Sequence, residues 1–329
     1  MTMLSQHLQA YFTTFAHNQR SLSPHTITAY RDTWRMLLTF LAAEINTRPD
    51  LLDFGHIDAA NVSAFLDHLE NDRGNTIATR NARLTAIRAV LTRALPNQLD
   101  HAGTLAQVLA IPPKRGPRSD VEFLTGEEST ALINAPDHNR WTGRRDYALL
   151  VLAVQTGLRI SELISLTLTN IHFGAGAGVT CLGKGRRRRV TPMTTPTETV
   201  MRAYIDDRKN RPGTALFCGP HGNELSRDAI EHRLRIHVAA AAANCPSLAR
   251  KHITMHTLRH TAAMSLLAGG VDISVIALWM GHQRTQSTDV YLHADMTIKQ
   301  TALDRTRPLD TRPGVYKPEP DILAWLHEL

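Results

Sequence analysis

Along the first third of the chain, apolar residues recur at helical spacing. Leu4, Leu8, Tyr11, Phe12 and Phe15 are separated by the three- and four-residue steps that line one face of an α-helix. Ser23 then stands before Pro24. A serine hydroxyl can accept from an orphan helical N–H, and proline in the first turn lacks an N–H that would be unpaired anyway, so a helix is predicted to start there. Its apolar stripe is Ile27, Tyr30, Trp34, Leu37, Leu38 and Leu41. A third stripe follows in Val62, Phe65, Leu66 and Leu69, and a fourth in Ile77, Leu84, Ile87, Leu91 and Leu95. Residues 1–110 therefore predict a helical domain. In 111–120, IPPKRGPRSD, the period stops and prolines crowd with basic residues, which is the composition of an interdomain linker.

The remainder mixes periods. RRDYALLVLAVQTGL reads as a buried helix ending at Gly157. Between Asn170 and Pro192, β-branched pieces separated by glycines predict a small antiparallel sheet. Helices return in SRDAIEHRLRIHVAAAAA, HTLRHTAAMSLLAGG and DISVIALWMGH. The expected fold class is thus mainly α with a small antiparallel sheet, with a second domain over 121–305. Residues 306–329 form a tail. Its prolines make it stiff, and DILAWLHEL sets Ile322, Trp325, Leu326 and Leu329 on one helical stripe. Such a short helix is not stable alone, so the stripe is expected to dock.

Composition narrows the partner. A chain of 329 residues with 43% hydrophobic content can build two cores, and a net charge of +7 favours a polyanion, either nucleic acid or an anionic membrane. No apolar run reaches the roughly 18 residues of a membrane span, and the N-terminus lacks the layout of a signal peptide. Cys181, Cys218 and Cys245 are far apart, without a CxxC, and read as reduced thiols. A cytoplasmic protein is expected. Arg80, Arg83, Arg88 and Arg93 on the fourth helix could bind a DNA backbone or form an ordinary solvated face.

Phosphoryl transfer without a metal needs a nucleophile, cations on the non-bridging oxygens, and an acid for the leaving oxygen. Arginine suits the second task because its fork matches two phosphate oxygens and stays charged. The second half supplies such a set in order. Arg159 lies in TGLRISEL, Lys184 in LGKGRRRRVTP, His256 and Arg259 in HTLRH, His282 in WMGH and Tyr291 in STDVYLH. His256 and Arg259, three apart, share a helix face. Taken singly, each has a plain alternative, an internal salt bridge for an arginine or core packing for a tyrosine.

In combination and order, these motifs resemble the tyrosine recombinase (phage integrase) family, in style its bacterial Xer branch. SPHTITAYRDTWRMLLTFL is similar to the start of that family's helical, SAM-like core-binding domain. The resemblance spans nearly the whole chain. It implies a core-binding domain followed by an α/β catalytic domain, closing as a clamp round double-stranded DNA. It implies that Arg159 and Arg259 hold the scissile phosphate and that Lys184 protonates the 5′-oxygen. His256 and His282 would assist, and Tyr291 would attack to give a 3′-phosphotyrosine. Glu162 would orient Arg159, while His260 and His293 would support the site. The run Arg186, Arg187, Arg188 and Arg189 is more uniformly basic than in relatives and is expected to contact DNA backbone. The resemblance further implies a homotetramer on paired sites, a partner recombinase being one variant of that assembly, and docking of the tail helix on a neighbouring protomer; docking on its own domain is the alternative. No metal, ATP or other cofactor is implied, and no membrane.

Other readings are weaker. GVTCLGKG approximates a phosphate-binding loop, but Gly185 stands where a magnesium-binding hydroxyl belongs. His252, His256 and His260 are four apart, as metal ligands can be, yet no Glu or Cys joins them. A type IB topoisomerase-like enzyme would share the chemistry, and a non-catalytic DNA-binding regulator would share the fold. Joining two DNA substrates separates a recombinase from the first, and the intact set of candidate catalytic residues argues against the second.

Overall fold

The computed structural model describes residues 2–20, 22–116, 121–183, 188–208 and 211–281. The tail from 306 onward, with its docking stripe, lies outside the described residues. The chain divides into two units, Met1–Ser119 and Asp120–Leu329.

In the first unit, α1 (Met3–Ala10) runs into a wider π-type turn over Tyr11–Gln19. It is followed by α2 (Pro24–Glu44), α3 (Ala59–Asn71), α4 (Ile77–Ala94) and α5 (Ala102–Ala110). Most starts are set by a side-chain oxygen. Ser23 accepts from the Thr26 N–H, Asp58 from Asn61 and Thr76 from Thr79. The apolar stripes then meet in one core around Trp34, Leu37, Phe65, Leu66, Ile87 and Leu91. The buried Trp34 indole donates to the Ala86 carbonyl, which fixes α2 against α4.

The arginines of α4 act inside this unit. Arg80 is only 4% exposed, and its guanidinium donates to Asn81 Oδ1 and the Pro112 carbonyl. Arg83 reaches the Ala29 carbonyl and Thr33 Oγ1 of α2. Arg88 donates to the Ile111 carbonyl. Asn81 exchanges two hydrogen bonds with the Lys114 backbone, and the Lys114 ammonium pairs with Glu70 at 2.8 Å. These hydrogen bonds give Arg80, Arg83 and Arg88 partners inside the unit. Arg80 and Arg88 fasten the stretch read as linker, and Arg83 ties two helices together. A backbone carbonyl left near a buried surface needs a donor, and arginine, with five N–H groups, can supply it at a distance.

The second unit contains α6 (Gly126–Ile133), α7 (Trp141–Thr156) and the short α8 (Ile160–Ile164). Three antiparallel strands follow: β1 (Ile171–His172), β2 (Gly178–Leu182) and β3 (Arg188–Pro192). They pair in chain order, with Val179 opposite Thr191 and Cys181 opposite Arg189. Then come α9 (Thr195–Arg208), α10 (Arg227–Ala242), α11 (Met255–Ala268) and α12 (Ile273–Met280). Helix α7 packs against both α9 and α11.

Two buried carboxylates tie the helices of this unit. Asp146 on α7 accepts from Arg145, from Arg233 at 2.6 Å and from His237 at 2.9 Å, the last two on α10. Glu128 on α6 accepts from Ser247 and Lys251, just ahead of α11. Burial pushes both carboxyls up, but these donors outweigh it and hold them below the usual range.

Candidate active site

Two helix ends face each other and create the site. Helices α7 and α12 both stop at a glycine in the left-handed conformation, Gly157 (φ 64°) and Gly281 (φ 63°). The last carbonyls of a helix have no partner within it and carry partial negative charge, so they attract donors and cations. The Arg259 guanidinium, buried on α11, donates to the carbonyls of Gly157 and Met280, both at 2.6 Å. The Trp279 indole donates to the Thr156 carbonyl at 3.1 Å. Arg159 donates to the Gly281 carbonyl at 3.2 Å. The two arginines of TGLR and HTLRH thus grip consecutive carbonyls, immediately before His282.

Arg159 is itself the N-cap of α8. Glu162, third residue of that helix and 4% exposed, is the hub of its environment. Its Oε2 accepts from the Arg159 backbone N–H at 2.8 Å, and its Oε1 from the Arg159 guanidinium at 3.0 Å. Arg189 on β3 makes a two-pronged pair with the same carboxylate, at 2.8 and 2.9 Å. Burial alone would raise the Glu162 carboxyl. Arg189, the Arg159 N–H and the two positive charges overcome this and depress it, so the group is ionised at neutral pH. Two guanidiniums meet the Glu162 carboxylate, and Arg259 on the adjoining turn adds a third positive charge, a surplus suited to a phosphate.

The strand pleat sorts the arginine run. Arg188 is exposed, and Arg189 points back to Glu162 with its side chain 13% exposed. Arg189, expected to contact DNA backbone, is paired with Glu162 inside the cluster. Arg186 and Arg187 lie outside the described residues, as do Lys184, His282, Tyr291 and His293. Leu182 pairs with Arg188 at the end of the ladder.

His256 and His260 are one turn apart on α11, with ring centroids 4.2 Å apart in an edge-to-face arrangement. His256 is exposed, and desolvation followed by the charges of Arg259 and Arg159 lowers its pKa. His260 is pushed down to about 4 by desolvation, His256 and Arg259. His252 lies before the helix and donates its backbone N–H to Glu122. Among the described residues, no group of three or more His, Cys, Asp or Glu is arranged to hold a metal ion.

The Gly157, Met280 and Gly281 carbonyls were not foreseen from the sequence, since a backbone acceptor has no residue type. The one available signal was the pair of helix-ending glycines next to Arg159 and His282.

A two-domain fold with an arginine-rich cluster on the α/β unit defines the class of DNA-processing enzymes to which the following matches point. Residues 122–297 match the phage integrase family and residues 9–97 its N-terminal SAM-like domain. The chain is 42% identical over 322 residues to a Sinorhizobium fredii protein named "Putative integrase/recombinase y4rC", covering 98% of this chain and 97% of that one. It is 30% identical over 311 residues to tyrosine recombinase XerC of Pelobacter propionicus, covering 94% and 97%. In fold it is similar to the Tn1549 transposon integrase in complex with transposon right end DNA (TM-score 0.69, 16% identity, 91% and 99% covered). It is also similar to XerH site-specific recombinase bound to difH substrate in a post-cleavage complex (TM-score 0.67, 18% identity, 84% and 80% covered). The chain belongs to the phage integrase family, the tyrosine recombinases, whose members cleave and rejoin DNA.

Proposed function

We propose that this chain exchanges DNA strands by two transesterifications, with Tyr291 as the nucleophile. The observation that carries the reading is the convergence of Arg159 and Arg259 on the Met280–Gly281 carbonyls, next in sequence to His282. A phosphate bound there meets two fixed guanidiniums that can hold both non-bridging oxygens as charge shifts. A free tyrosine has a pKa of about 10 and is a poor nucleophile at neutral pH. The positive cluster favours phenolate character and the pentacoordinate transition state together. Tyr291 Oη would bond to phosphorus as the 5′-oxygen leaves, taking its proton from Lys184. The 3′-phosphotyrosine would then be attacked by a 5′-hydroxyl from the partner strand, which returns the phenol. One phosphoester is exchanged for another, so no external energy source is required. His256 would donate a hydrogen bond to the phosphate. Double-stranded DNA is the substrate, and four protomers on two paired sites are the working assembly.

Tyr291→Phe removes only the attacking oxygen. On a nicked suicide substrate, DNA binding persists and the covalent protein–DNA adduct on a denaturing gel disappears. Adduct formed by the Phe variant overturns the assignment.

A further inference from the structure

Arg189 was expected to be one of four equivalent basic contacts, and its geometry sets it apart. It spans both oxygens of Glu162 at 2.8 and 2.9 Å, on a carboxylate that also holds Arg159 by its backbone and its guanidinium. Its other flank lies against the turn whose carbonyl accepts from Arg159. A Cβ built on Gly281 would come within 2.7 Å of Arg189 Nη1, 3.1 Å of Cζ and 3.3 Å of Cδ. Arg189 therefore touches both things that fix Arg159, the Glu162 carboxylate and the Gly281 turn.

We propose that Arg189 is a positioning residue which, through Glu162 and the Gly281 turn, holds the Arg159 guanidinium in the orientation that receives the scissile phosphate. The physical argument is one of degrees of freedom. Arg159 is 32% exposed on its side chain and has several rotatable bonds. A lone carboxylate could swing with it. A carboxylate clamped from the far side by a bidentate guanidinium cannot, because both oxygens have a fixed direction. Preorganisation of this kind matters most where a donor must meet developing charge without moving. Arg189 is paired with Cys181 across β2–β3 and so is anchored by a strand ladder rather than by a loop. The ion pair is kept in both partners. Burial lowers the Arg189 pKa and raises that of Glu162, yet the hydrogen bonds between them reverse both shifts.

The inference rests on reading Arg159 as the residue that balances charge on a non-bridging oxygen, and the test separates the two. The probe is a nicked suicide duplex carrying either the natural phosphate or a methylphosphonate at the scissile position. The methyl group replaces one charged oxygen, so the arginine that neutralises it is no longer needed. Full-length wild type, Arg159→Ala, Arg189→Ala and Arg189→Lys are compared at saturating protein by the rate of adduct formation. Arg189→Lys keeps a cation beside Glu162 and guards against a folding defect, but one ammonium cannot span both oxygens. Both Arg189 variants are expected to slow cleavage of the natural phosphate, the Ala variant by about ten-fold or more. Both deficits shrink on the methylphosphonate, as the Arg159→Ala deficit does. A general loss of structure would slow both substrates equally. If Arg159→Ala is relieved and the Arg189 variants are not, Arg189 does not act through Arg159 and the inference falls alone. If none is relieved, Arg159 does not carry that charge, and the inference falls with the reading beneath it.

Discussion

At the scale of single residues, sequence recognises a side chain by type, and the structure decides which way it faces. Arg80, on a basic helix, reads as a DNA-backbone contact or a solvated face, and Arg189, in an unbroken arginine run, as a backbone contact. Arg80 instead closes two acceptors within its own domain. Arg80→Ala should therefore lower stability by about 1–3 kcal/mol, as expected when buried polar partners lose their donor. It should leave the slope of log DNA affinity against log salt unchanged, since no phosphate contact is lost. A flatter slope with unchanged urea stability would restore the DNA role. Arg159, Glu162, His256 and Arg259 were legible as a set because their order is distinctive. Their hydrogen bonds were not, since these depend on carbonyls and on a strand pleat. His260 adds a pH dependence. Its pKa is about 4 in the folded chain, against 6.5 for the free side chain. Between those values the unfolded chain takes up a proton and the folded chain does not, so acid favours unfolding across that window. Native stability should fall as pH drops from about 6.5 towards 4, and His260→Gln should lose less of it over the same range. Urea midpoints measured at both ends of the window decide this, and an equal drop in both proteins rules His260 out as the source.

At the scale of elements, legibility followed length and punctuation. Helix α2 was marked by Ser23–Pro24 and a long stripe, and α7 by Gly157. The strands were marked by glycines and β-branched residues. Helix α8 has five residues, too few for a period, and α9 carries no clear apolar stripe in the sequence either. Helix α9 is largely polar in TPTETVMRAYIDDR, and only Thr197, Met201, Tyr204 and Arg208 of it are buried. Its helicity comes from packing against α7, and pattern alone could not show that. Helix α6 carried a readable signal in Thr125 and Glu128, whose side chains cap it reciprocally. Gly157 joins element to function. It ends α7 with positive φ, and its carbonyl receives Arg259. A Cβ there would lie 2.8 Å from both Met280 Sδ and Cε and 3.1 Å from Ala262 Cβ. Gly157→Ala should cost about 1–2 kcal/mol from the left-handed backbone alone, with a further cost from crowding Met280. Because the Met280 carbonyl also holds Arg259, cleavage should fall at temperatures where the variant remains fully folded. A variant that is less stable but cleaves at the wild-type rate would separate the helix end from the site.

At the scale of the whole molecule, the stripes and the composition give a first domain over 1–110 and a linker over 111–120, and the two units divide at Ser119–Asp120. The linker composition begins at 111, where prolines and basic residues crowd. The first part of this linker stays fastened to α4 as far as Lys114, through the Arg80, Asn81 and Arg88 side chains. Pro112 and Pro113 lack N–H groups, so this segment cannot join a helix or a ladder, and its carbonyls take donors from side chains instead. The Lys114–Glu70 pair is exposed and contributes little by itself. The larger effect lies in the guanidiniums, because removing the strap leaves the buried Arg80 without the Pro112 carbonyl and Arg88 without that of Ile111. A fragment of residues 1–116 should fold alone as a cooperative helical domain, given the core around Trp34, Phe65 and Ile87. A fragment of residues 1–110 should keep the same helical circular dichroism at low temperature yet be less stable by about 2 kcal/mol, the cost of unpairing buried donors. Urea titrations of the two fragments measure the difference directly. Equal midpoints would mean that the strap rests on α4 without stabilising it, and that the unit does end where the composition changes.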